Sequence, residues 1–221
     1  MPPKTRSLHE LRLSGFPVDR ALTVVRHEIG HWLVGIHHGF FCGDVKAVIH
    51  HRDGHYAQAA IELESDLRSL DLVTSYLRRR ISVLYAGALA ESMGTSDKVN
   101  ETYAVRELEK RGAVNDHKGV RELLRVLRGI EFGPRPCTDE ACNKQLKELV
   151  DELWADTKAV LEANHEVIAA ATEAIVMRAE AIDKEFSMRG PIIRKIPAVA
   201  AWLESREKPS PTNSQATARN M

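Results

Sequence analysis

Ala21-Leu22-Thr23-Val24-Val25-Arg26-His27-Glu28-Ile29-Gly30-His31-Trp32-Leu33-Val34-Gly35-Ile36 is the stretch on which the reading of the fold turns. Its apolar side chains at Leu22, Val25, Ile29, Leu33 and Ile36 recur at three- and four-residue steps, the repeat of one helix face. Asp19 follows Pro17 and has the side chain of an N-cap, while Gly39 marks a stop, so an amphipathic helix is expected between them. Val24-Val25 and Trp32-Leu33-Val34 bracket His27-Glu28-Ile29-Gly30-His31. Those polar groups therefore sit on a largely buried helix, where they need a partner such as a metal.

Two histidines at i and i+4 stand one turn apart on the same face, and their imidazoles can converge on one ion at the roughly 2.0–2.1 Å that zinc requires. Glu28 projects beside that ion. There it can take a proton from a water whose pKa the ion lowers to about 7, and return it to a leaving amine. Gly30 costs about 1 kcal/mol in a helix interior, tolerable where another element must approach the backbone. In a chain with ten histidines the same pattern can arise on a solvated helix by composition alone; the apolar flanks argue against that here.

Beyond this helix, Val45 to His50 and His55 to Ile61 flank Asp53-Gly54 and predict a small antiparallel hairpin. From Asp66 to Met93, Leu67, Leu70, Val73, Leu77, Ile81, Leu84 and Ala88 repeat helically, with a break expected between Ser65 and Asp71. Another helix is expected from Asn115-Asp116 to Leu127, before a breaker-rich loop from Gly129 to Asn143. Leu146, Leu149, Val150, Leu153, Val160 and Leu161, then Val167, Ile168, Ala171, Ile175, Ala179 and Ile182, read as a long C-terminal helical hairpin, with Trp154 and Trp202 as packing residues. The fold class is mainly α with a small β-hairpin, an α+β domain over 19–203. Residues 1–18, with Pro2, Pro3 and Pro17, and the Ser/Thr/Pro/Asn-rich 204–221 are expected to be flexible ends.

Lys plus Arg equals Asp plus Glu at 31 each, so no net field attracts a polyanion, and nucleic acid is not an expected partner. Arg78-Arg79-Arg80 reads as a solvated helix face. Cys42, Cys137 and Cys142 form neither a disulfide framework nor a zinc ribbon, which argues for a reducing, cytoplasmic location. No stretch approaches the roughly 18 apolar residues of a membrane span, so no membrane partner is expected, and no phosphate-binding loop points to ATP hydrolysis. His50, His51 and His55 surround the expected turn and are read as solvent-facing rather than as a second metal site.

A catalytic zinc takes three protein ligands and keeps a fourth position for water, and three residues compete for the third place. His37 stands ten residues after His27, but Val34 occupies the position where a glycine would let the chain turn toward the metal. Glu91 lies on the next long helix, and Asp116 at the start of a later one. On the residues alone all three stay open.

Ala86-Gly87-Ala88-Leu89-Ala90-Glu91, followed by Arg111-Gly112-Ala113-Val114-Asn115-Asp116, resembles in order the Gly-Gly-Arg-x-Ala-Glu and Gly-Ala-x-Asn-Asp segments of the FtsH-type zinc metalloproteases. The resemblance extends over roughly residues 21–197: Val45 to Tyr56 is similar to that family's strand pair after the zinc helix, and Glu180 to Ile196 loosely resembles its terminal region. Ile29, Ala86 and Ala88 depart from the family's small residue, glycine and arginine, and neither its ATPase module nor its membrane anchor is found in the sequence. The resemblance implies a zincin-like metallopeptidase fold, Asp116 as the third zinc ligand, and Glu91 as a neighbour that orients a ligand. It further implies an ATP-independent endopeptidase for flexible or unfolded segments of protein or peptide substrates, with a separate unfoldase needed for folded ones. A zinc-stabilised adaptor without proteolytic activity is the alternative, and a hydrolase of small amides a third reading. The intact Glu28 favours an enzyme, since a purely structural metal needs no base.

Overall fold

The computed structural model describes residues 6–52, 54–110, 112–134 and 138–207. Its central helix, α2 (Val18–His37), follows a short α1 (Leu8–Leu13) and buries Val25, Ile29, Trp32, Leu33 and Val34. Helix α2 starts one residue before Asp19, with Pro17 in the cap position and no side-chain cap bond. Asp19 instead lies in the first turn, where a carboxylate complements the helix dipole, and pairs with Arg12 at 2.8 Å. Part of the N-terminal segment expected to be flexible is helical. Ser7 and Glu10 close a capping box on α1, and Leu11 is fully buried. Residues 1–5 lie outside the described residues.

The expected hairpin is present as β1 (Phe41–Ile49) and β2 (His55–Glu62), paired antiparallel from Ile49↔His55 to Phe41↔Glu62. An irregularity between Cys42 and Val45 interrupts the alternation of inward and outward residues, which is why the strand begins earlier than its pattern suggests. Arg20 of α2 fastens the turn by donating to the carbonyl oxygens of His50, at 2.8 Å, and of Arg52 and Gly54. Asp53 itself lies outside the described residues. A third strand, β3 (Phe186–Met188), pairs antiparallel with the other side of β1, giving the order β2-β1-β3 and leaving β2 at an edge.

The break expected after Ser65 is a helix cap: the Ser69 side chain accepts from Leu72 N and opens α3 (Leu70–Met93). Helices α2 and α3 cross backbone to backbone. A methyl group added at Gly30 would stand 2.4 Å from the Ala86 carbonyl oxygen and 2.6 Å from Ala90 Cβ, so the glycine sits where another element closes in. Helices α4 (Glu101–Lys110), α5 (Val114–Phe132) and α6 (Asp139–Ala163) pack on α3, whereas α7 (His165–Val176) packs on α2.

The C-terminal helical hairpin is not formed. Only Asn164 separates α6 from α7, too little chain for a reversal, and the two helices serve different partners. Helix α8 (Gly190–Ile193) and α9 (Pro197–Glu207) follow β3, so the helical part reaches past residue 203, while 208–221 lie outside the described residues. Tyr85 meets Trp154 edge to face at 5.2 Å, and Trp202 is buried, both in packing roles. The architecture is mostly α-helical with one small antiparallel sheet, and no helix among the described residues is long and apolar enough to cross a membrane.

Candidate metal centre

His27 and His31 project from the middle of α2 toward the first turn of α5, which carries Asp116. The Nε2 atoms of the two histidines are 3.0 Å apart, and Asp116 Oδ2 lies 3.2 Å from the first and 3.5 Å from the second. Three ligands at about 2.0–2.1 Å from one four-coordinate ion stand roughly 3.3–3.4 Å from each other, so this triangle is the size such an ion needs. These are the described residues whose ligand atoms cluster closely enough to hold a metal.

The other ring nitrogens settle what the triangle offers. His27 Nδ1 faces Glu91 Oε2 at 3.1 Å, and His31 Nδ1 faces the carbonyl oxygen of Val83 at 2.6 Å. Both partners are acceptors, which puts the protons on Nδ1 and turns the Nε2 lone pairs of two largely buried rings toward each other. Such lone pairs repel unless a cation lies between them, a proton on His27 shared with Asp116 in the metal-free protein or a metal ion in its place. The donor set therefore fits a metal ion. Gly87 of α3 makes the convergence possible: a methyl group there would lie 2.5 Å from Nε2 of both histidines.

The electrostatics point the same way. Burial opposes charge on His27, but the Asp116 and Glu91 carboxylates outweigh it and hold the ring at about 10. Burial likewise pushes the Asp116 carboxyl up, and the two histidines pull it well below the usual carboxylate range. The pocket favours positive charge at its centre.

Glu28 stands beside the triangle with Oε2 accepting from the backbone N–H of Ala59 at 2.7 Å. That N–H points away from β1, so the unpaired edge of β2 borders a cleft of about 850 Å³ whose lining includes Glu28, His27, His31, Ala57, Ala59 and Asp116. Glu91 is held at its second oxygen by the hydroxyl of Tyr103, which donates at 3.0 Å from α4. Nothing in the sequence signals Tyr103, because a lone tyrosine on a short polar helix belongs to no motif.

The remaining candidates lie elsewhere. His37 Nδ1 meets Arg206 at 2.9 Å near the C-terminal helix, away from the triangle. His50 pairs with Asp183 at 2.8 Å on the surface, while His55, set aside as a turn residue, enters the cleft wall. His117 bonds the Leu108 carbonyl at 3.1 Å. Cys42 is buried, with its thiol pushed up to about 12 by that burial, and Cys137 lies outside the described residues.

The three arginines of α3 do not share a solvated face, since consecutive helix residues point about 100° apart. Arg78 pairs with Glu131 and Glu152 at 2.7 and 2.8 Å, Arg79 donates to the His38 carbonyl at 3.1 Å, and Arg80 enters the cleft.

No protein-family model matches the chain, and no curated protein matches it either. What fold and site define is a mostly helical protein with a buried His27, His31 and Asp116 cluster able to hold a metal ion.

Proposed function

We propose that this chain is a zinc-dependent, ATP-independent endopeptidase acting on flexible or unfolded protein segments. The observation that carries the reading is the joining of three things in one cleft: a tetrahedral-sized His, His and Asp triangle, a glutamate adjoining it, and an unpaired strand edge. The ordered resemblance of Ala86 to Glu91 and Gly112 to Asp116 to the FtsH-type peptidases supports it and implies a zincin-like arrangement of helix and edge strand.

His27, His31 and Asp116 would hold the ion, with Glu91 and the Val83 carbonyl fixing the imidazole tautomers and Tyr103 steadying Glu91. Bound there, zinc supplies Lewis-acid polarisation of a peptide carbonyl and acidifies a water. Glu28, its carboxylate kept in place by the Ala59 N–H, would accept a proton from the attacking water and return it to the leaving nitrogen. An extended peptide pairs with the open edge of β2, which fixes the direction of its backbone across the cleft. Such a protein belongs in the cytoplasm, with protein or peptide segments as substrates and a separate unfoldase to present folded ones.

Glu28→Gln tests the division of labour. It should keep near-stoichiometric zinc and lose peptide hydrolysis by at least about 100-fold, because the carboxylate moves protons and does not hold the ion. Unchanged turnover would sink the mechanism. Full zinc with no hydrolysis even in the unaltered protein would favour the adaptor alternative.

A further inference from the structure

Arg80 is a cation in the cleft that the proposed chemistry does not use. It lies on the α3 stripe Arg80, Leu84, Gly87 and Glu91, whose spacing of four, three and four residues keeps one helix face turned toward the site. The same stripe touches the ligand nitrogens at Gly87. Its neighbours Arg78 and Arg79 are both satisfied by protein partners, whereas Arg80 makes no hydrogen bond or ion pair with any described residue.

The carboxylates around it are already engaged. Asp116 faces both histidines, Glu91 is held by His27 and Tyr103, Glu28 takes the Ala59 N–H, and Glu107 has Arg106 at 3.9 Å. Partial burial works against the guanidinium, and Tyr76 and the Asp116 charge work for it without bonding to it. A guanidinium stays protonated under these conditions, so a half-desolvated cation with a planar fork of donors is left facing the cleft.

We propose that Arg80 is a carboxylate-binding residue of the substrate cleft, so that a bound peptide places an acidic side chain or its C-terminal carboxylate against α3 next to the metal centre. This rests on the peptidase reading for the word substrate, but not for the site itself. A guanidinium matches a carboxylate with two parallel N–H bonds, and the low-dielectric wall strengthens them. The specificity it confers is for peptides carrying negative charge at one position relative to the metal.

The test is binding of fluorescein-labelled peptides to the zinc-loaded Glu28→Gln protein, measured by anisotropy so that no turnover is required. One set is C-terminally amidated and moves a single Glu along a neutral sequence, with Gln and Lys counterparts; a second compares a neutral peptide as free acid and as amide. At one position Glu should bind about 10-fold to 100-fold more tightly than Gln, or the free acid more tightly than the amide by the same factor. The first result assigns a side-chain carboxylate, the second a chain terminus.

Adding Arg80→Gln should abolish that preference, with zinc content and melting temperature unchanged. Arg80→Glu should turn it toward Lys, which a merely structural role would not do. Equal affinities, no measurable binding, or a preference that survives Arg80→Gln overturns the proposal. Hydrolysis by the zinc-loaded protein that retains Glu28 separates the two claims. Charge preference without hydrolysis removes the peptidase reading and leaves the Arg80 site, whereas hydrolysis without charge preference removes only the latter.

Discussion

Glu28 and Asp116 are both carboxylates of one cleft, yet their surroundings assign them different work. Asp116 faces two imidazole nitrogens at 3.2 and 3.5 Å, the position of a ligand, while Glu28 is tied to a strand N–H and stands to one side. Asp116→Ala should therefore lower metal affinity steeply and remove activity, and His37→Ala, beside Arg206, should do neither. Glu91→Gln, which alters the group that accepts from both His27 Nδ1–H and the Tyr103 hydroxyl, should weaken metal affinity by about 10-fold to 100-fold, read by competition with a chromogenic chelator.

Protonation competes with the metal at His27. Its pKa, raised from 6.5 to about 10 in the metal-free protein, means that the charged ring contributes stability in full below the ordinary value and that this is lost as pH climbs through about 10. Melting curves should show the metal-free protein losing stability across that window and the zinc-loaded protein spared. Zinc affinity should rise about tenfold per pH unit while one proton is displaced. Chain spacing alone identified His27 and His31 as partners. It could not identify the Val83 carbonyl, because every residue carries one and only folding decides which is aimed at the ring.

The meeting of α2 and α3 sets the geometry of the centre, and two glycines permit it. Gly87→Ala would put a methyl group 2.5 Å from both Nε2 atoms on a helix that otherwise favours alanine. The variant is expected to stay folded by circular dichroism and to lose metal binding; zinc retained at full stoichiometry would show that the rings do not converge over that position. The periodicity of α2 and α3 and the Asp53-Gly54 turn signal made these helices and the hairpin legible. Helix α4 and strand β3 are among those that were not. Helix α4 buries only Ala104, Glu107 and Leu108, too few apolar positions to mark a face, and β3 spans three residues, too short to show a period of two. One of those unread elements carries Tyr103, so the support of Glu91 was hidden along with its helix.

At the scale of the molecule, the apolar stripes of α6 and α7 read as a hairpin, but periodicity shows which face of each helix is buried and not how the two are joined. The single residue Asn164 between them decides for the bend, and it lets α6 brace α3 while α7 braces α2, the two helices that frame the ligand triangle. The cleft in front of that frame is bordered by a strand edge, and an edge pairs with backbone that is already extended. A casein-like unstructured protein should therefore be cut, and a tightly folded domain spared, in the absence of an unfoldase; gel analysis of both substrates in one reaction checks this.

The most direct measurement of the central claim is metal content and hydrolysis of an unstructured peptide on one preparation, before chelation, after it, and after zinc is restored. One zinc per chain, activity lost with the metal and regained with it, is the predicted result. Hydrolysis that persists in the metal-free protein, or a preparation that binds no stoichiometric metal at His27, His31 and Asp116, would contradict the account.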